Sequence, residues 1–237
     1  QGVPFRIEED MQIFYDGSFF GLLNPFALLC GLVSVAMLVM HGAAWLQVKT
    51  SGTIAERARR YGITAALAVP VLYLAAGAVL AFLLPGYVIT SEISTSGVSN
   101  PLLKHAVVQN GAWLANYAAR PVLWLVPGLG LAGSVIAALC MAARRPLAAL
   151  ITGGAGIAGI ITSVGVSMFP FILPSSANPS ASLTIWDASS SHLTLFIMLI
   201  STLIFMPIIL AYTSWVFSVL RGKVDAEAIE NGKEHAY

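Results

Sequence analysis

Charge is what this 237-residue sequence has least of. Asp, Glu, Lys and Arg together make up 10% of it, against about 25% in a soluble globular domain. The apolar fraction is 57% and the mean hydropathy is +0.82, so most of the chain faces something other than water. The net charge of +1 gives no handle for nucleic acid or for an acidic substrate. Cysteine is also scarce. Cys30 and Cys140 stand far apart with no CxxC spacing, which excludes a thiol redox motif and a zinc site of that type. Their places in separate apolar stretches put them in opposite leaflets, too far apart for a disulfide. A glycine-rich phosphate loop and a nucleophile–base motif are absent as well.

The sequence does hold long apolar runs, five of them: about 22–48, 62–84, 121–143, 147–168 and 193–220. Each exceeds the roughly 20 residues needed to cross a hydrocarbon core of about 30 Å. None contains Asp, Glu, Lys or Arg. The expected fold class is therefore all-α integral membrane: a four-helix bundle plus one additional helix. The expected layout is a loop segment over 1–21, a five-helix transmembrane region over 22–220 and a tail over 221–237. The segments between spans alternate in charge. One side carries Lys49, Arg57, Arg59, Arg60, Arg144, Arg145, Arg221, Lys223 and Lys233, and the other only Arg6, Lys104 and Arg120. The positive-inside rule then places the C-terminus in the cytoplasm, with 1–21, the 86–120 loop and the 169–192 loop on the periplasmic face. Tyr87, Trp113, Trp124 and Trp186 fall near one interface and Trp45 and Trp215 near the other, as an aromatic belt requires.

The spans offer little chemistry. Intramembrane ionisable groups are costly and mark ion or proton paths; here only the imidazole of His41 lies well inside a span. One imidazole can ligate one face of a haem at most, so His41 reads as a polar contact between helices or toward a partner. Small residues carry a packing signal. Gly153, Gly156 and Gly159 line one span and Gly128, Gly130 and Gly133 crowd another, which lets helices approach closely where lipid removes the hydrophobic drive. Pro70, Pro127 and Pro207 lie inside spans, where each is expected to bend its helix.

The most distinctive stretch is 169–195, FPFILPSSANPSASLTIWDASSSHLTL. Pro170 and Pro174 end the preceding helix, and Asp187 stands where it can cap the next one. The stretch resembles the corresponding loop of subunit II of the cytochrome bd-type quinol oxidases. So do the opening QGVPFRIEEDMQIFYDGSFFGLLNPF, the pieces Gly86-Tyr87-Val88, Ser99-Asn100-Pro101-Leu102, Gly111-Ala112-Trp113-Leu114 and Pro121-Val122-Leu123-Trp124, and Pro207-Ile208-Ile209-Leu210-Ala211-Tyr212-Thr213. The resemblance implies a subunit of a bacterial inner-membrane respiratory complex that oxidises quinol and reduces oxygen to water. It implies that haem b and haem d sit in the partner subunit I, with no catalytic, cofactor-binding or metal-binding residue on this chain. Implied partners are subunit I, a small single-helix accessory subunit, membrane lipid or quinone, and the preceding N-terminal part of the same subunit. Trp186, Asp187, Pro174 and Asn178 are the candidates for subunit contact or structural support, and His41 for an intramembrane polar contact. The rival from another class is half of a secondary transporter, whose inverted repeats are not visible here.

Overall fold

A computed structural model describes residues 2–92 and 99–219. The tail 221–237, with Arg221, Lys223, Lys233 and His235, and the final residue of the fifth expected span, Leu220, lie outside the described residues. In chain order the elements are β1 (Phe5–Ile7), β2 (Ile13–Tyr15), α1 (Pro25–Lys49), α2 (Gly52–Phe82), β3 (Pro85–Ile89), β4 (Ala106–Asn110), α3 (Ala115–Ala119), α4 (Leu125–Ala142), α5 (Pro146–Met168), β5 (Phe171–Leu173), β6 (Leu183–Thr184) and α6 (His192–Val219). A 3-10 turn over Pro121–Trp124 leads into α4. Five helices are long and apolar enough to cross a membrane: α1, α2, Pro121–Ala142, α5 and α6.

Helices α1, α2, α4 and α5 form the four-helix bundle. Met40, Val69, Met141, Ala66, Ala137 and Ala149 meet at its centre with almost no exposed surface. Local chemistry sets the helix starts. The Asn24 side chain accepts from the Ala27 amide at 2.9 Å, ahead of Pro25 in the first turn of α1, and Pro146 opens α5, where a missing N–H costs nothing. The tightest crossing is α4 on α5. A methyl group added to Gly133 would lie 2.6 Å from the Gly156 Cα, and one on Gly159 would lie 2.6 Å from the Gly130 nitrogen. These glycines let the two backbones touch. Gly128 faces open space and takes no part.

Helix α6 is the additional helix. It buries no side chain in this chain; Phe217 meets the Trp45 ring edge-on at 5.7 Å between centroids near the end of α1.

The ends of the bundle differ in kind. Three antiparallel hairpins, β1–β2, β3–β4 and β5–β6, gather at one end. Lys49, Arg57, Arg59, Arg60, Arg144 and Arg145 gather at the other. Four expectations change in detail. The basic stretch 49–61 is not a loop: α2 starts at Gly52 and carries Glu56 to Arg60 in its first turns. Glu56 there pairs with Arg59 at 2.6 Å and Arg60 at 3.5 Å, the spacing a helix face favours. The 86–120 loop is built of β3, β4 and α3, because Tyr87, Val88 and Ile89 face Val108, Val107 and Ala106 across a ladder that suits β-branched and aromatic side chains. Pro127 sits in the first turn of α4, where it breaks no helical hydrogen bond. Tyr87 and Trp113 are 6% and 3% exposed, so their rings pack inside the fold instead of lying open on its surface. Cys30 and Cys140 are free thiols near opposite ends of their helices.

Candidate functional site

The hairpin end is where the chain brings its distant polar residues together. Lys104 follows a 3-10 turn started by Asn100, whose side chain accepts from the Leu102 amide at 2.9 Å. Asp187 lies beyond β6. The two meet at 2.5 Å between Nζ and Oδ2, and their side chains are only 4% and 9% exposed. The ammonium also donates to the Pro101 carbonyl at 2.9 Å, and the second carboxylate oxygen accepts from the Thr184 amide at 2.5 Å. A buried ion pair is tolerable only with such extra hydrogen bonds, since desolvation offsets most of the mutual attraction. Asp187 therefore ties the 86–120 region to the 169–192 region. It does not cap α6, because its oxygens are taken; the Ser191 hydroxyl caps that helix by accepting from the Thr194 amide at 3.4 Å.

The other expected residues of this loop have local tasks. The Pro174 carbonyl accepts from the Val3 amide at 2.9 Å, and the Ser176 amide donates to the Val3 carbonyl at 3.0 Å. This fastens the N-terminal segment to the loop, helped by the buried Ser175 hydroxyl, which donates to the Phe5 carbonyl. Asn178 caps the 3-10 turn Pro179–Ala181, accepting from the Ser180 amide at 3.2 Å. Trp186 is half-buried and meets the Phe169 ring edge-on at 6.0 Å. Beneath them Tyr87 packs edge-on against Trp113 and Phe171, at 5.6 and 6.2 Å. The Trp113 indole N–H donates to the Pro85 carbonyl at 3.0 Å. Burial pushes the Tyr87 phenol above its ordinary pKa.

The sequence does not point to several of the contributors. Along the chain Lys104 is only one charge of the 86–120 loop. Asn116 donates to the Val166 and Phe169 carbonyls at 2.8 and 2.7 Å, at the end of α5. The Tyr73 hydroxyl and the Ser163 hydroxyl are 2.6 Å apart, and the Tyr117 hydroxyl donates to the Ser163 carbonyl at 2.8 Å. Isolated Tyr, Ser and Asn on helices of a chain so poor in charge are the signal that finds them: each must satisfy its polar atom inside the fold.

His41 lies apart from this cluster, on α1 against α5. A methyl on Gly154 would stand 3.5 Å from its Cε1 and one on Gly153 3.9 Å from its Nδ1. That Nδ1 is buried without a hydrogen-bond partner among the described residues.

The family model for cytochrome bd terminal oxidase subunit II matches residues 1–220. The chain belongs to that family. It is 43% identical over 237 residues to the probable cytochrome oxidase subunit 2 of Haemophilus influenzae, covering 100% of this chain and 62% of that protein. It is 40% identical over the same length to the cytochrome bd-I ubiquinol oxidase subunit 2 of Escherichia coli K12, again covering 62% of the relative. The match to the cytochrome bd ubiquinol oxidase subunit 2 of Bacillus subtilis is 24% over 225 residues. The chain thus spans under two thirds of the length of these relatives.

Membership in the cytochrome bd subunit II family raises the question of haem. The described residues do not fit a haem held between two imidazoles. His41 stands alone in the spans, with its Nδ1 edge against the backbone of α5. His105 and His192 lie outside the bundle interior, at the start of β4 and of α6. No group of three or more His, Cys, Asp or Glu that could hold a metal occurs among the described residues.

Proposed function

We propose that this chain is part of a haem-free structural subunit of a bd-type quinol:oxygen oxidoreductase in the bacterial inner membrane. Its task is to support the subunit that carries haem b and haem d, oxidises quinol and reduces oxygen to water. The observation behind this reading is a bundle interior of Met, Val, Ala and Gly, with one imidazole and no ionisable pair at its centre, in a chain of the subunit II family. Two surfaces would meet the partner. Helix α6 leaves nearly all its side chains exposed and buries none, an arrangement suited to a helix that packs on another subunit. The hairpin end, with Trp186, Asp187, Pro174 and Asn178 holding its loops together, forms a stiff cap on the periplasmic side, and the basic end with the C-terminus faces the cytoplasm.

The test is a reduced-minus-oxidised visible spectrum of the purified full-length complex, repeated on subunit II separated from its partner. Bands of b-type and d-type haem in the complex and none in the separated subunit are the expected result. A haem band that stays with subunit II would overturn the scaffold reading and make His41 the first ligand to mutate. No haem band in either sample would overturn the oxidase reading itself. Deletion of Ser175–Ser182 is expected to stop assembly with the haem-bearing subunit; a fully assembled deletion variant would remove the loop from the contact.

A further inference from the structure

One opening in the fold serves none of the contacts above. Near the basic end, α1 and α2 flank an open groove of about 500 Å³ lined by Val39, Gly42, Ala43 and Leu46 from α1 and by Ile54, Arg57, Ala58 and Tyr61 from α2. Both sets follow the three-and-four spacing of one helix face. The floor is small: Ala43 and Ala58 are buried, and Gly42 adds no side chain. A methyl placed on Gly42 would touch nothing within 4 Å, so the slot is open there. The walls are the exposed side chains of Val39, Leu46, Ile54 and Tyr61.

The charge at the mouth decides what fits. Arg59 and Arg60 are both engaged by Glu56. Arg57, on the groove side of the same helix, forms no ion pair among the described residues and is exposed. It lies within the first two turns of α2, ahead of the charge-free run that starts at about 62, while the groove runs from it toward the middle of α1. An apolar slot beneath a guanidinium is complementary to a hydrocarbon tail beneath a phosphate. A helix with its side chains is about 10–12 Å across and would ride over a slot that owes its depth to one glycine and two alanines.

We propose that the α1–α2 groove is a binding site for an anionic phospholipid, with an acyl chain lying over Gly42, Ala43 and Ala58 and the headgroup phosphate held by Arg57. The site requires only that the chain be embedded in a bilayer, and it stands or falls independently of the oxidase reading.

Native mass spectrometry of the full-length protein, with the subunits that copurify, tests it. The probe is dioleoyl phosphatidylglycerol, compared with the zwitterionic phosphatidylethanolamine of the same chains. Wild type is expected to retain one more phosphatidylglycerol than phosphatidylethanolamine. Arg57→Gln is expected to weaken that retention by about fivefold, the effect of one interfacial cation, with Arg57→Lys keeping most of it. Gly42→Leu, whose first side-chain carbon has nothing within 4 Å and whose remaining carbons would occupy the slot, is expected to abolish it. Arg145→Gln, a cation at the same end but outside the groove, is expected to leave it unchanged. Equal retention of the two lipids by wild type would overturn the proposal, as would unaltered retention in Arg57→Gln or Gly42→Leu. So would the finding that a protein segment fills the groove in the full-length protein.

Discussion

The ion pair between Lys104 and Asp187 shows how much one residue can decide in a chain with so few charges. Its partners are 83 positions apart in sequence, and both are nearly inaccessible to water. Removing one leaves the other charged and buried, a change that typically costs about 3–5 kcal/mol. Asp187→Asn should therefore lower the unfolding temperature of the purified protein markedly. The double change Lys104→Met with Asp187→Leu should recover most of that loss, because no orphan charge remains. An Asp187→Asn variant as stable as wild type would show that the pair contributes little. His41 presents the opposite case. Its Nδ1 lacks a partner among the described residues, and an unsatisfied buried polar atom costs about 1–3 kcal/mol. His41→Leu is expected to leave the thermal stability of the isolated subunit unchanged or raised. A clear drop would mean that the imidazole has a partner beyond the residues described.

At the scale of elements, the α4–α5 crossing makes a sharp demand on sequence. Gly133→Leu would drive a side chain into the backbone of α5, where even a methyl lies 2.6 Å from Gly156. Overpacking of this kind costs about 1–3 kcal/mol, and the variant should unfold at lower temperature or lower detergent concentration than wild type. Gly128→Ala, on the same helix but facing open space, should be neutral or slightly stabilising, as alanine favours the helix. Equal losses in the two variants would show that glycine serves α4 through something other than this crossing. The glycine spacing in the sequence announced close packing but could not tell which glycines make it. That choice depends on how α4 is rotated toward α5. The hairpins were hidden for a related reason. Their strands are two to five residues long, too short for an alternating pattern to stand out, and their pairing partners come from across a loop.

For the whole molecule, the alternation of basic and neutral ends supports one orientation across the membrane. In a background with Cys30 and Cys140 replaced by Ser, a cysteine at Ser99 should react with an impermeant thiol reagent added to intact cells whose outer membrane is permeable. A cysteine at Arg145 should react only after the inner membrane is opened. The reverse pattern would invert the proposed topology. Helix α6 belongs to this scale too, since the described residues bury none of its side chains; its place is decided by what the rest of the assembly puts against it.

The sequence by itself determined the class of the protein and the number of helices long and apolar enough to cross a membrane. Hydrocarbon accepts only helices of a set length with their polar groups satisfied internally, and that rule acts on local composition. It also carried the family resemblance, in motifs that read along the chain. The tertiary structure alone decided where the few polar residues go. It turned Asp187 from a helix cap into the partner of Lys104, buried Tyr87 and Trp113 beneath the loops, and set α6 apart from the four-helix bundle. Each of these outcomes depends on which segments meet in space, and a buried charge or ring takes its partner from whatever the fold brings beside it, at any distance along the chain.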